Sequence, residues 1–212
     1  MPKSKAKAPA ETRIQAQNRA VILAAALEVF SAYGYRGATV DQIADKAGLS
    51  KPNLLYYFRR KEDIYTAVLE QTLDEWLAPL RVLDANGEPI AELTRYISEK
   101  LGMSFAASPA SKLFANEVLH GAPHVRPFLQ GPLRELVDEK AAVIRRWIME
   151  GKIRAVDPVH FIFAIWAVTQ HYADFSVQVE SVLGHEAEKE RTKKAVLDIL
   201  LSGLKTSCVS EN

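Results

Sequence analysis

Gly34-Tyr35-Arg36-Gly37-Ala38-Thr39-Val40-Asp41-Gln42-Ile43-Ala44-Asp45-Lys46-Ala47-Gly48-Leu49-Ser50-Lys51-Pro52-Asn53-Leu54-Leu55-Tyr56-Tyr57-Phe58 is the stretch that decides the fold. Thr39 is followed three residues later by Gln42, a capping box, so a short helix opens there and carries Val40, Ile43, Ala44 and Ala47. Gly48 stops it. Ser50 is the next N-cap, and Pro52 is tolerated in a first turn whose N–H groups have no helical partner, so Asn53 to Phe58 completes a second short helix. Two short helices around the Ala47-Gly48-Leu49-Ser50 turn make a helix-turn-helix. Val40, Ile43, Ala44, Leu49, Leu54 and Phe58 supply its miniature core, and small residues at Ala44 and Ala47 let the helices approach closely.

Before this stretch, Val21, Ile22, Leu27, Val29, Phe30 and Tyr33 recur at helical spacing and predict a helix over 17–33 that ends before Gly34. After it, a long helix is expected over 61–83, broken by Asp84-Ala85-Asn86-Gly87. Further helices are expected over 89–106, 110–120, 127–150, 157–183 and 187–204, with Pro, Gly and Asp-Pro between them. No stretch sustains strand alternation, so the expected fold is all-α: a three-helix head and a larger helical domain. The expected boundaries are a basic flexible arm at 1–15, the head at 16–62, the second domain at 63–205 and a flexible tail at 206–212. Residues 157–184 are apolar on more than one face, which suits a central helix or one shared with a second copy.

The 212 residues, 48% hydrophobic, are ample for a packed core. No apolar run is long enough to span a membrane, and the first eighteen residues lack the apolar segment of a signal peptide, so a cytoplasmic location is expected. The single cysteine, Cys208, has no partner for an intrachain disulfide or a cysteine-based metal cluster. His120, His124, His160, His171 and His185 show no metal-ligand spacing, and no nucleophile–base pair or phosphate-binding glycine loop is evident, so neither a metal site nor an enzyme is expected. The net charge of +1 is divided: residues 1–65 carry 11 Lys/Arg against 6 Asp/Glu, and the remainder 16 against 20. The positive end is where a polyanion would bind.

The run from Gly34 to Phe58, with Lys61-Glu62 behind it, closely resembles the DNA-binding signature of the TetR family of bacterial regulators. The resemblance implies a homodimer that binds double-stranded operator DNA and is released, as a repressor, by a small-molecule effector. The second short helix would then enter the major groove by its N-terminal end, with Lys51, Pro52 and Asn53 at base edges. The hydroxyls of Thr39, Ser50, Tyr56 and Tyr57 and the charge of Lys61 would meet phosphates. Lys3, Lys5, Lys7 and Arg13 suit either a minor-groove arm or a merely solubilising one.

Two further runs, Leu54 to Leu80 and Asp157 to Glu180, resemble the branch of that family that regulates pyrimidine utilisation. This implies uracil or thymine as effector and Trp76, Trp166 and Gln170 as ligand-binding residues in the second domain. Trp166 and Gln170 are four apart on one helical face, with Asp174 one turn further. A flat heterocycle stacked on a tryptophan would leave its carbonyl and N–H to an amide that both donates and accepts. By residue type alone, tryptophan in an apolar helix is more often core than pocket and Gln170 suits a bridge between two subunits; a pocket for an unrelated apolar or aromatic ligand is a further alternative. A helical binding module without DNA-binding function is the remaining alternative.

Overall fold

The computed structural model describes residues 12–106 and 109–204; Lys3, Lys5, Lys7, the 206–212 tail and Cys208 lie outside the described residues. All described elements are helical, and they divide into two units, residues 1–68 and 69–212.

In the first unit, α1 (Arg13–Gly37) starts four residues before the expected 17, because Thr12 and Gln15 form a capping box of their own. Gly34 breaks its regular geometry at φ 67°, ψ 171°, where glycine carries no Cβ penalty. The expected caps are present in α2 (Val40–Ala47) and α3 (Lys51–Tyr57): Thr39 accepts from the Gln42 N–H, and Ser50 from the Asn53 N–H. Gly48 ends α2 in the left-handed region at φ 67°, and the Leu49 N–H reaches back to the Ala44 carbonyl at 2.9 Å. Ile22, Ala26 and Phe30 of α1 pack in one core with Ala38, Ile43, Ala44, Leu54, Phe58, Ile64 and Tyr65, all buried. Val40 and Leu49, expected in that core, are half-buried. Tyr65 stands edge-on to Phe30 with ring centroids 4.9 Å apart.

The helix α4 (Lys61–Arg81) supplies residues to both units. The second unit continues with α5 (Pro89–Phe105), α6 (Pro109–Leu119), a single turn α7 (Arg126–Phe128), α8 (Arg134–Met149), α9 (Pro158–Asp174), α10 (Ser176–Leu183) and α11 (Lys189–Leu201). Helix α9 is central: α5, α6, α8, α10 and α11 all pack on it. Its buried residues Phe161, Ile162 and Ile165 share the core with Tyr96, Ile97, Leu101, Ile144, Trp147 and Val196. Trp147 is fully enclosed and donates its indole N–H to the Ala85 carbonyl at 3.0 Å, which ties α8 to the loop after α4.

Two expected helices are divided. The 127–150 helix contains a π turn over Leu129–Leu133, because Pro132 has no N–H to continue the i→i−4 ladder. The 157–183 helix breaks at Phe175 (φ −114°, ψ 29°) into α9 and α10. Neither Gly nor Pro marks that break, so periodicity runs straight through it. No helix among the described residues is long and apolar enough to cross a membrane.

Candidate functional site

Two places carry the residues singled out from the sequence. In the first unit, α3 presents Lys51, Pro52, Asn53 and Tyr56 to solvent, and Tyr57 is half-buried. The Tyr57 hydroxyl accepts a 2.8 Å hydrogen bond from the Asn18 amide, and the exposed Tyr56 hydroxyl accepts one from Gln15 at 3.3 Å. These bonds tie α3 to α1. Lys51 pairs with Asp41 at 2.9 Å, an exposed contact worth about 0.2–1 kcal/mol and easily exchanged for a polyanion. The Thr39 and Ser50 hydroxyl oxygens serve as caps. Lys61 is held more firmly: its ammonium donates to the carbonyls of Tyr35 and Ala38 at 2.7 and 2.9 Å and lies over the Tyr35 ring. Three donors and two carbonyls leave one N–H for a further acceptor.

In the second unit, Trp76, Trp166 and Gln170 line one cavity of about 580 Å³, within the range of small-molecule sites. Leu73, Leu77, Phe114, Val118, Leu119, Leu133 and Phe175 make most of its wall. Its polar side is a chain of hydrogen bonds. Lys100 Nζ donates to Gln170 Oε1 at 2.7 Å, and Gln170 Nε2 donates to Ser111 Oγ at 2.5 Å and to Asp174 Oδ1 at 3.2 Å. Ser111 in turn donates to Asp174 Oδ1 at 2.5 Å. Helices α5, α6 and α9 each contribute to this chain. The Trp166 indole N–H donates to the Tyr96 hydroxyl at 2.7 Å, which fixes the ring plane. Burial pushes the Tyr96 hydroxyl up, so it stays protonated. The Lys100 ammonium lies over the Trp76 ring, 5.2 Å from its centroid, and Phe114 meets that ring edge-on. A flat ligand therefore has Trp166, or the uncovered part of Trp76, as its platform.

Lys100, Ser111 and the bonded role of Asp174 were missed in the sequence. Lys100 and Ser111 are both buried, and only Lys100 left a signal: it sits on the apolar stripe of α5 with Tyr96, Ile97 and Leu101, where a lysine is out of place. Burial pushes its ammonium down from 10.5 to about 8, with the Asp174 carboxylate opposing the shift. Between these values the unfolded chain holds the proton and the folded one does not, so stability rises with pH through that window by up to about 1.4 kcal/mol per unit. Urea unfolding of wild type and Lys100→Met from pH 7 to 10 should show this rise in wild type only. Parallel pH profiles would contradict it. A buried cation that costs stability at neutral pH is the kind of group that functional sites retain.

Comparison with known proteins covers both units. Residues 22–68 match the profile of bacterial regulatory proteins of the tetR family, and residues 69–208 match that of the C-terminal region of YcdC-like proteins. The chain is 46% identical over 198 residues to the HTH-type transcriptional regulator RutR of Escherichia coli K12, covering 92% of this chain and 93% of the relative. Among solved structures, a Clostridium perfringens putative fatty acid metabolism regulator superimposes with a TM-score of 0.68 at 22% identity, covering 88% of this chain and all of that one. AibR, crystallised with isovaleryl coenzyme A and operator DNA, superimposes with a TM-score of 0.66 at 17% identity, covering 86% of this chain and 97% of its own. The two structures share the fold.

Proposed function

The chain belongs to the TetR family of ligand-responsive DNA-binding regulators, and from that premise we propose that it is a homodimeric repressor released from its operator by uracil or thymine. The observation that carries the effector assignment is the Gln170 amide, held among Lys100, Ser111 and Asp174 at the side of a cavity that also contains Trp76 and Trp166. Such a wall offers donors and acceptors side by side to a ring that carries a carbonyl next to an N–H. The relative at 46% identity is a RutR, and the resemblance to regulators of pyrimidine utilisation points to the same ligands.

In this proposal α3 enters the major groove with Lys51, Pro52 and Asn53 at base edges, while Thr39, Ser50, Tyr56, Tyr57 and Lys61 meet phosphates. Phe163 on α9, Val182 on α10, Ile199 on α11 and Phe175 at the break between α9 and α10 are exposed and supply the apolar face for a second copy, and a two-fold dimer calls for a pseudo-palindromic operator. The effector acts by its higher affinity for the conformation that fits DNA less well. Helix α4 carries Lys61 in its first turn and Trp76 further along, so a ligand against Trp76 acts on a helix that begins in the head.

A second reading, an apolar or aromatic effector unrelated to pyrimidines, is favoured by the mainly apolar wall of the cavity. Thermal denaturation with a panel of nucleobases and apolar acids separates the two. At a hundred times its dissociation constant, a ligand of the folded state adds about 2.7 kcal/mol of stability. Stabilisation by uracil or thymine is expected, and a shift with apolar acids alone would select the second reading.

A further inference from the structure

The hydrogen bonds of the pocket's polar side all run one way. Lys100 donates to Gln170, Gln170 donates to Ser111 and Asp174, and Ser111 donates to Asp174. The chain has a cation at one end and a carboxylate at the other, and this polarity fixes the glutamine. Turning the amide over would set its NH₂ against an ammonium and its oxygen against a carboxylate. Gln170 is thus already spoken for, and the ends of the chain hold the spare capacity. Lys100 has three N–H donors and gives one to Gln170; Asp174 receives both its bonds on Oδ1, which leaves Oδ2. The two charges balance. Lys112 also lines the cavity, but it is exposed, so water and salt screen it.

We propose that Lys100 and Asp174 are the specificity determinants of this pocket: they select an uncharged ring that offers a carbonyl oxygen to the ammonium and an N–H to the carboxylate, and they exclude rings bearing a carboxylate of their own. This rests on the assignment of the cavity as a pyrimidine site and adds to it the residues and the charge rule. An anionic ring upsets the balance between a buried ammonium and a half-buried carboxylate, because its own carboxylate either meets Asp174 or competes with it for Lys100. Gln170 then acts as the bridge that sets the two ends.

The test is calorimetric titration of the full chain with uracil and with orotate, which is uracil plus a ring carboxylate. Wild type should bind uracil about a hundredfold more tightly than orotate. In Asp174→Asn, which keeps the side-chain shape and removes the negative charge, uracil should weaken and the gap should narrow by about tenfold or more. In Lys100→Gln the gap should widen, so this variant serves if Asp174→Asn melts before titration. A general loss of packing weakens both ligands together and does not move the ratio in opposite directions. Wild type binding orotate as tightly as uracil, or a ratio unmoved by either variant, overturns the charge rule and leaves the pyrimidine site standing. Wild type binding neither ligand overturns both.

Discussion

Gln170→Ala is expected to abolish effector-induced release of operator DNA while operator binding without effector persists. The amide accepts from Lys100 and donates to Ser111 and Asp174, so its loss takes the buried Lys100 ammonium's acceptor and leaves Ser111 and Asp174 only their bond to each other. Buried groups left unpaired cost about 1–3 kcal/mol each. Without the amide, Lys100 and Asp174 are no longer held at the spacing a ligand's carbonyl and N–H require. Losing both of those contacts weakens a ligand by about a hundredfold or more, which moves half-release out of the range of a wild-type titration. Gln170 lies in the second unit and the head has its own core around Phe30, Ile43 and Leu54, so the variant's head should fold and bind operator near wild-type affinity when no effector is present. Anisotropy of a labelled operator, titrated with uracil at fixed protein, reads both quantities. Release of the variant at the wild-type uracil concentration would remove Gln170 from the site.

The second large effect is expected at Lys51. Its exposed ammonium is held by Asp41 alone among the described residues, through a contact too weak to compete with a phosphate or a guanine edge. Lys51→Ala should therefore weaken operator binding by about tenfold per head, and more for a dimer that uses two heads. If the contact is to phosphate, the slope of log affinity against log salt also falls by about one per head, and the loss is uniform across sequences. If it is to a base, the slope changes little and discrimination at one operator position relaxes. Unfolding midpoints should stay unchanged, because an exposed pair contributes little to stability. Wild-type affinity in a folded Lys51→Ala protein would show that α3 does not face DNA by its N-terminal end.

The head was legible because its signals are local. Thr39 with Gln42, Gly48 and Ser50 each act on backbone groups within a few residues, so spacing along the chain is enough to place the helix ends. The start of α1 at Thr12 carried the same kind of signal in Gln15 and was overlooked. Lys61 shows what residue type does not carry: besides any phosphate its charge would meet, its ammonium donates to the carbonyls of Tyr35 and Ala38, more than twenty residues away in sequence.

The pocket was legible only where one helix carries it. Trp166, Gln170 and Asp174 follow from the period of α9, but Lys100 and Ser111 join them from α5 and α6 across sequence separations of 70 and 59 residues. No local pattern encodes that meeting. The break at Phe175 escaped for the opposite reason. The Phe175 and Val179 N–H groups still donate to carbonyls four residues back, so an ordinary helical ladder flanks a residue that leaves helical geometry.

The measurement that bears most directly on the account is the affinity of the full chain for its operator, selected from random duplexes, with and without saturating uracil. A salt-sensitive complex whose half-saturation moves to at least about tenfold higher protein concentration with uracil or thymine is the expected result. A complex that millimolar uracil and thymine both leave unchanged would contradict the pyrimidine-responsive repressor.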